Sequence, residues 1–193
     1  MRKIERVYRE ILAQALEEGE FKLTQRFLSE RCETSIGNVN YALKPLVKMN
    51  GIEKRQRNFL ILNPKKILVY WASLRDLERD LIYESHSDKS VREIESEMPP
   101  SKFTAYTGYK FRMGEAPADY SEVYVYSESR KVRERFPKKP GRSNIFVLKS
   151  DAHLEKFWET PLAQIYVDLW NLESWYAQEF IKVMEEEIDG ILE

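Results

Sequence analysis

Apolar residues recur at three- and four-residue spacing from Arg2 to Glu18, where Ile4, Val7, Ile11, Leu12 and Leu16 share one face and predict a first helix. Leu23-Thr24 opens a shorter second helix, Gln25 to Arg31, with Thr24 as its cap and Phe27 and Leu28 turned inward. The stretch from Thr34 to Leu62 organises the rest. Ser35 caps a third helix, on which Ile36, Val39, Ala42, Leu43 and Leu46 form the apolar face. Asn50-Gly51 stops it, because both residues tolerate positive φ. Ile52-Glu53-Lys54 and Phe59-Leu60-Ile61 then frame the turn Arg55-Gln56-Arg57-Asn58 as a hairpin. Three helices and a basic hairpin in this order are the winged helix-turn-helix arrangement.

After Asn63-Pro64, a cap and a first-turn proline, the stripe Ile67, Tyr70, Trp71, Leu74, Leu77 and Leu81 predicts a helix from Pro64 to about Tyr83. Glu84 to Lys89 reads as a polar loop. Ser90 with Glu93 is a capping-box pattern for a short helix ending before Pro99-Pro100. Lys102 to Phe111 is open between strand and helix. Glu122 to Ser127 alternates as a strand, Ser129 to Phe136 is basic and helical, Lys138 to Arg142 is a turn, and Asn144 to Lys149 is a second strand. Ser150 or Asp151 caps a helix through Trp158, Pro161 opens another, and Ser174 begins the last, through Ile188. The expected fold class is α/β (α+β). A winged helix-turn-helix covers residues 1–66, and a linker helix and loop cover 67–89. A separately folded C-terminal α/β domain with a small sheet and closing helices covers 90–193.

Charge sharpens this division. Residues 1–66 hold 14 Lys and Arg against 8 Asp and Glu, a net +6, while residues 67–193 hold 17 against 24, a net −7, which together give the −1 of the whole chain. A basic head on an acidic body suits a nucleic-acid module attached to something that does not bind nucleic acid. Apolar residues make up 42 % and aromatics 12 %, enough for packed cores, so a disordered chain is excluded. The lone cysteine, Cys32, excludes an intramolecular disulfide and fits a reducing cytoplasm. No run is long enough for a membrane span and the N-terminus lacks the apolar core of a signal peptide, so the expected location is cytoplasmic, without a membrane partner.

The candidate contact residues follow from the third helix and the hairpin. Opposite the apolar face lie Gly37, Tyr41, Lys44 and Lys48, flanked by Asn38 and Asn40, with Ser35 at the helix start. Amide, aromatic and cationic groups of this kind suit major-groove edges and their phosphates. Lys54, Arg55, Gln56, Arg57 and Asn58 place further cations at the hairpin tip. Pro45 removes one backbone hydrogen bond and predicts a bend after Tyr41, which leaves Lys48 outside the contact set. Double-stranded DNA is the expected partner. The open alternatives are a protein- or RNA-interaction module and a metal-dependent nuclease or nucleotidyltransferase.

The chemistry of an enzyme is thinly represented. His86 and His153 are far apart in sequence from each other and from Cys32, lack metal-ligand spacing, and read as surface residues. There is no phosphate-binding glycine loop, and no cofactor is implied. Glu115, Asp119 and Glu122 sit before and at the start of a strand, with Lys131 beyond it, but the acidic-x-Lys element of many nucleases is absent; they read as solvated strand-edge charge. Asp168 reads as an exposed carboxylate. The basic stretch Arg130 to Arg142 reads as a solvated helix face and turn, and the aromatics of the closing helices exceed what a core needs, which suits an interface.

Taken in order, the winged head, NPKKILVYWA, YTGYKF, EVYVYSE, NIFVLKS and TPLAQIYVDLW resemble the AbiEi-type antitoxin regulators of type IV abortive-infection toxin–antitoxin systems. The resemblance covers nearly the whole chain and is most specific at PLAQIYVDLW. It implies a DNA-binding autorepressor, not an enzyme, whose C-terminal domain is the antitoxin. It also implies a nucleotidyltransferase-like toxin as partner; a homodimer is a further expectation.

Overall fold

Thr24, Ser35, Asn63 and Ser90 each open a helix by the same chemistry. The side-chain oxygen accepts the backbone N–H three residues on, at 3.1 Å from Phe27, 3.2 Å from Asn38, 2.9 Å from Lys66 and 3.3 Å from Glu93. The computed structural model describes residues 1–192, and the fold is mixed α/β.

The N-terminal third runs α1 (Lys3–Leu16), β1 (Lys22–Leu23), α2 (Gln25–Arg31), α3 (Ile36–Lys48), β2 (Ile52–Lys54) and β3 (Phe59–Ile61). The strands form an antiparallel sheet in the order β1-β3-β2, with Lys54 opposite Phe59 and Leu23 also opposite Phe59. Asn50 takes φ 55°, and a Cβ on Gly51 would lie 3.1 Å from Ile67 and 3.3 Å from the Leu46 carbonyl, so the reversal after α3 needs these two residues. α3 continues through Pro45 to Lys48. Val39, Ala42, Leu43 and Leu46 are buried as the spacing requires, but Ile36, at the edge of that face in the first turn, is half exposed.

The helix expected over residues 64–83 stops early. α4 (Pro64–Leu74) ends where Arg75 turns extended and sends its guanidinium into buried carboxylates. A single tight turn over 78–80 then leads to β4 (Leu81–Ser85). Residues 67–89 are therefore not a linker helix and loop: Ile67, Leu68 and Trp71 are core, and β4 is a sheet strand, which also replaces part of the polar loop at 84–89.

The remainder comprises α5 (Val91–Glu97), β5 (Lys102–Thr104), α6 (Ala105–Met113), β6 (Val123–Ser127), α7 (Ser129–Arg135), β7 (Ile145–Lys149), α8 (Leu162–Trp170) and α9 (Trp175–Leu192). The second sheet has the order β4-β7-β6-β5, with β6 and β7 parallel and the outer pairings antiparallel. Alternation splits the two central strands. Val123, Val125, Ile145 and Val147 pack with Ile94, Val132 and Phe136, from and just after α5 and α7. Tyr124, Tyr126, Phe146 and Leu148 take the other face. The ambiguous stretch 102–111 is both strand and helix, with the sharp junction at Ala105, φ 50°. The helix expected from residues 150–158 is only a single turn over 154–156, and Trp158 is 96 % exposed.

One apolar cluster joins the ends of the chain. It runs from Val7 and Leu12 through Leu43 and Trp71 to Tyr106, Ile165, Phe180 and Ile188. Among the described residues, no helix is long and apolar enough to cross a membrane.

Candidate nucleic-acid interface

Tyr41, Lys44 and Lys48 stand exposed on one face of α3, with Tyr41 64 % accessible, and Gly37 opens the same face in the first turn. The hairpin lies beside them. Lys54 Nζ donates to Asn40 Oδ1 at 2.6 Å, so helix and hairpin present one continuous surface. A backbone hydrogen bond of 2.8 Å from Arg55 N–H to the Asn58 carbonyl closes the tip, which leaves Gln56 and Arg57 exposed. Among the described residues, Lys44, Lys48, Lys54 and Arg57 have no carboxylate within ion-pair distance, unlike Arg55, whose Nε donates to Glu53 at 2.9 Å.

Two further expected contact residues, Ser35 and Asn38, are engaged within the protein. Ser35 Oγ accepts the Asn38 N–H as the cap, and Asn38 Nδ2 donates to Thr34 Oγ1 at 2.9 Å. Asn58 turns inward rather than towards the tip, its side-chain oxygen buried with no hydrogen-bond partner among the described residues. The sequence gives no sign of this, because a turn asparagine reads the same whichever way it points.

The basic stretch after β6 is of a different kind. Arg130, Arg135, Lys138, Lys139 and Arg142 each lie within ion-pair distance of a carboxylate, on Glu134, Glu97, Glu84, Asp88 and Glu122 respectively, and Arg133 sits over the Tyr83 ring at 4.8 Å. Its charge is largely balanced within the protein, whereas that of the α3–hairpin surface is not.

Away from this surface, the chain buries a connected set of charges, two of which, Asp168 and His153, the sequence placed at the surface. Asp168 is fully buried, not an exposed carboxylate. It accepts from Arg75 Nε at 3.0 Å, Thr104 Oγ1 at 2.8 Å, Tyr126 Oη at 2.6 Å and Gln164 Nε2 at 2.9 Å. Such saturation lets a carboxylate stay buried. His153 is likewise fully buried, not a surface residue. Its Nδ1 faces Arg9 Nη1 at 3.2 Å and its Nε2 faces Glu10 Oε2 at 2.7 Å. Arginine only donates, so Nδ1 accepts and Nε2–H donates, which is the neutral ring. Burial, reinforced by Arg9, holds its pKa below the ordinary histidine value against the pull of Glu10.

Cys32 Sγ lies 3.9 Å from that ring, so the fold gathers the cysteine, the histidine and Glu10 from across the sequence. The thiol is fully buried, and burial together with Glu10 pushes it up to about 12, which makes it a poor nucleophile. Glu115 and Asp119 are exposed, while Glu122 is buried and accepts from the Tyr176 hydroxyl. Among the described residues, no three His, Cys, Asp or Glu side chains group so as to hold a metal ion.

No protein-family model matches this chain, and neither does any curated protein or solved structure.

Proposed function

We propose that this chain is a sequence-specific double-stranded-DNA-binding regulator of transcription, an autorepressor of the AbiEi antitoxin type rather than an enzyme. One observation carries the reading: the exposed face of α3 and the hairpin tip form a single surface on which Lys44, Lys48, Lys54 and Arg57 lack carboxylate partners among the described residues. A cationic surface without carboxylate partners beside a helix face displaying Tyr41 and Lys44 supports phosphate contacts from the hairpin and base contacts from the helix. On this reading, α3 enters the major groove and the hairpin follows the adjacent backbone. Two copies bind a two-fold operator, and a nucleotidyltransferase-like toxin is the protein partner.

The test is a titration of the full chain against duplex DNA from upstream of its own gene, with random duplex as competitor and salt varied. If about four to six phosphates are neutralised, log K falls with log salt with a slope near −4 to −5. No binding at low salt, or no preference for the upstream duplex, overturns the reading.

A second reading has its own observation. Ile36 and Val47 are exposed on the same side of α3, with Tyr41 at its other edge, and apolar groups of that kind serve a protein partner. A partner held mainly by those groups would bind with little salt dependence, which separates the two.

A further inference from the structure

We infer that a pocket beside β5 and α6 binds the head of a small planar molecule bearing a primary carboxamide. The pocket lies between the start of β5, α6 and residues 157–160, and its volume is about 80 Å³. Phe103, Phe111 and Ile165 give it apolar walls. Two more of its lining residues carry hydroxyls that the protein leaves unused. Ser101 Oγ and Thr160 Oγ1 are both buried without a hydrogen-bond partner among the described residues, and Thr160 as a whole is 1 % exposed. A buried polar atom left this way has given up its bonds to water for nothing in return. Two of them around one pocket point to an occupant that supplies the missing bonds. At the mouth, Trp158 is 96 % exposed and Phe111 is 53 % exposed. The backbone that presents Trp158 is pinned: Lys102 Nζ donates to the Phe157 carbonyl at 2.8 Å and to the Trp158 carbonyl at 3.4 Å, and Arg112 binds Glu159. Two large rings held in water beside a pocket are surface for a ligand to cover.

Volume and charge select the head group. The pocket is far below the roughly 300–1,000 Å³ of a site that engulfs a whole ligand, so it takes one short polar head and leaves the body against Trp158 and Phe111. Its two cations, Lys102 and Arg112, lie within ion-pair distance of three carboxylates, on Glu155, Glu17 and Glu159. A carboxylate head would therefore enter surroundings that are already net negative. A hydroxyl both donates and accepts, which matches an amide: its carbonyl accepts from one hydroxyl and its NH₂ donates to the other.

The experiment is a titration of the full chain, without nucleic acid, with benzamide, followed by the indole N–H resonances of the tryptophans. The Trp158 resonance is assigned by its loss in Trp158→Phe. It is expected to shift saturably in the millimolar range, which suits a small ligand with only its head buried, while those of Trp170 and Trp175 stay in place. Benzoate, which carries the wrong charge, and toluene, which lacks the polar head, are each expected to bind roughly tenfold more weakly or worse. Thr160→Val nearly keeps the shape and removes one unpartnered hydroxyl. It is expected to weaken benzamide by roughly threefold to tenfold while leaving the melting temperature unchanged or higher, because no bond within the protein is lost. Ser96→Ala, which removes an exposed hydroxyl on α5 outside the pocket, is expected to leave affinity unchanged. The inference is overturned by no saturable shift of Trp158 at tens of millimolar benzamide, by equal binding of benzoate or toluene, by unchanged affinity or a lowered melt in Thr160→Val, or by an equal loss in Ser96→Ala.

Discussion

Arg9 Nε, on α1, donates to Gln164 Oε1, on α8, across 2.9 Å in the interior of the protein. The same guanidinium makes two further bonds to Asp151, at 3.1 and 2.9 Å. Gln164 passes the connection on, donating to Tyr126 and to Asp168, and Asp168 in turn holds Arg75. The helix that backs the cationic head is thus bonded through buried charge to the helix that closes the acidic part.

Replacing Arg9 by leucine strands Asp151 and Gln164 without their strongest donor. Unpairing a buried ion in this way costs about 3–5 kcal/mol. Urea denaturation of the full chain is expected to show a loss of that order. The double variant Arg9→Leu with Asp151→Leu is expected to lose clearly less than the sum of the two single changes, because the two fully paired charges leave together and, of the charges that remain, only the partly accessible Arg6, 3.5 Å from Asp151, loses a partner. Additive losses would mean the pair is not coupled.

The same cluster sets the acid limit. His153 is neutral when folded with its pKa below the ordinary value, so the unfolded chain binds the extra proton and stability falls as pH drops below about 6.5. For Asp151, burial works against ionisation, but the charge and hydrogen bonds of Arg9 hold its pKa below the usual carboxylate range. Its contribution is complete above the unfolded value of about 3.9 and is lost as pH falls further. Melting temperatures from pH 8 to 3 are therefore expected to decline in two stages, and His153→Gln is expected to remove the first. A flat profile from pH 7 to 5 in the unsubstituted protein would contradict this.

What the sequence disclosed was local. Thr24, Ser35, Asn63 and Ser90 could be read as caps because each meets an N–H three residues away. The end of α4 could not, because Leu77 and Leu81 continue the helical spacing while Arg75 leaves to meet Asp168, a residue on α8. His153 and Asp168 were misplaced for a related reason: a charged residue is exposed by default, and the partners that allow burial come from distant segments. On the α3–hairpin surface, the cationic face was legible from the spacing of Tyr41 and Lys44. The engagement of Asn38 with Thr34, and the inward turn of Asn58, depend on rotamers that spacing does not specify.

The shared core bears on truncation. A fragment from Ser90 onward, which the polar stretch before it suggests as a domain, leaves behind β4, the partner of β7 along the sheet edge. It also leaves α1 and α4, whose Leu12 and Trp71 belong to the same cluster as Ile165 and Phe180. The fragment is expected to aggregate or to lack a cooperative thermal transition, while the full chain melts cooperatively. A soluble, cooperatively folding fragment would show that the cluster divides where the polar stretch does.

The hairpin and the helix are expected to fail differently when altered. Arg57 is exposed at the tip without a carboxylate partner among the described residues, so Arg57→Ala is expected to weaken own-upstream and random duplexes alike and to reduce the salt slope by about 1. Tyr41 stands on the helix face, and Tyr41→Ala is expected to cost about 1–3 kcal/mol on the preferred duplex and little on random DNA. Because Tyr41 is 64 % exposed, its removal leaves the melt nearly unchanged, which separates lost contact from lost fold. Asn40 falls between these cases. Its Oδ1 holds Lys54 at 2.6 Å, so Asn40→Ala frees the lysine and loosens the register between helix and hairpin. That variant is expected to lose discrimination while keeping the salt slope, since no cation is removed. A lower slope for Asn40→Ala, or equal losses on both duplexes for Tyr41→Ala, would count against the division of roles between α3 and the hairpin.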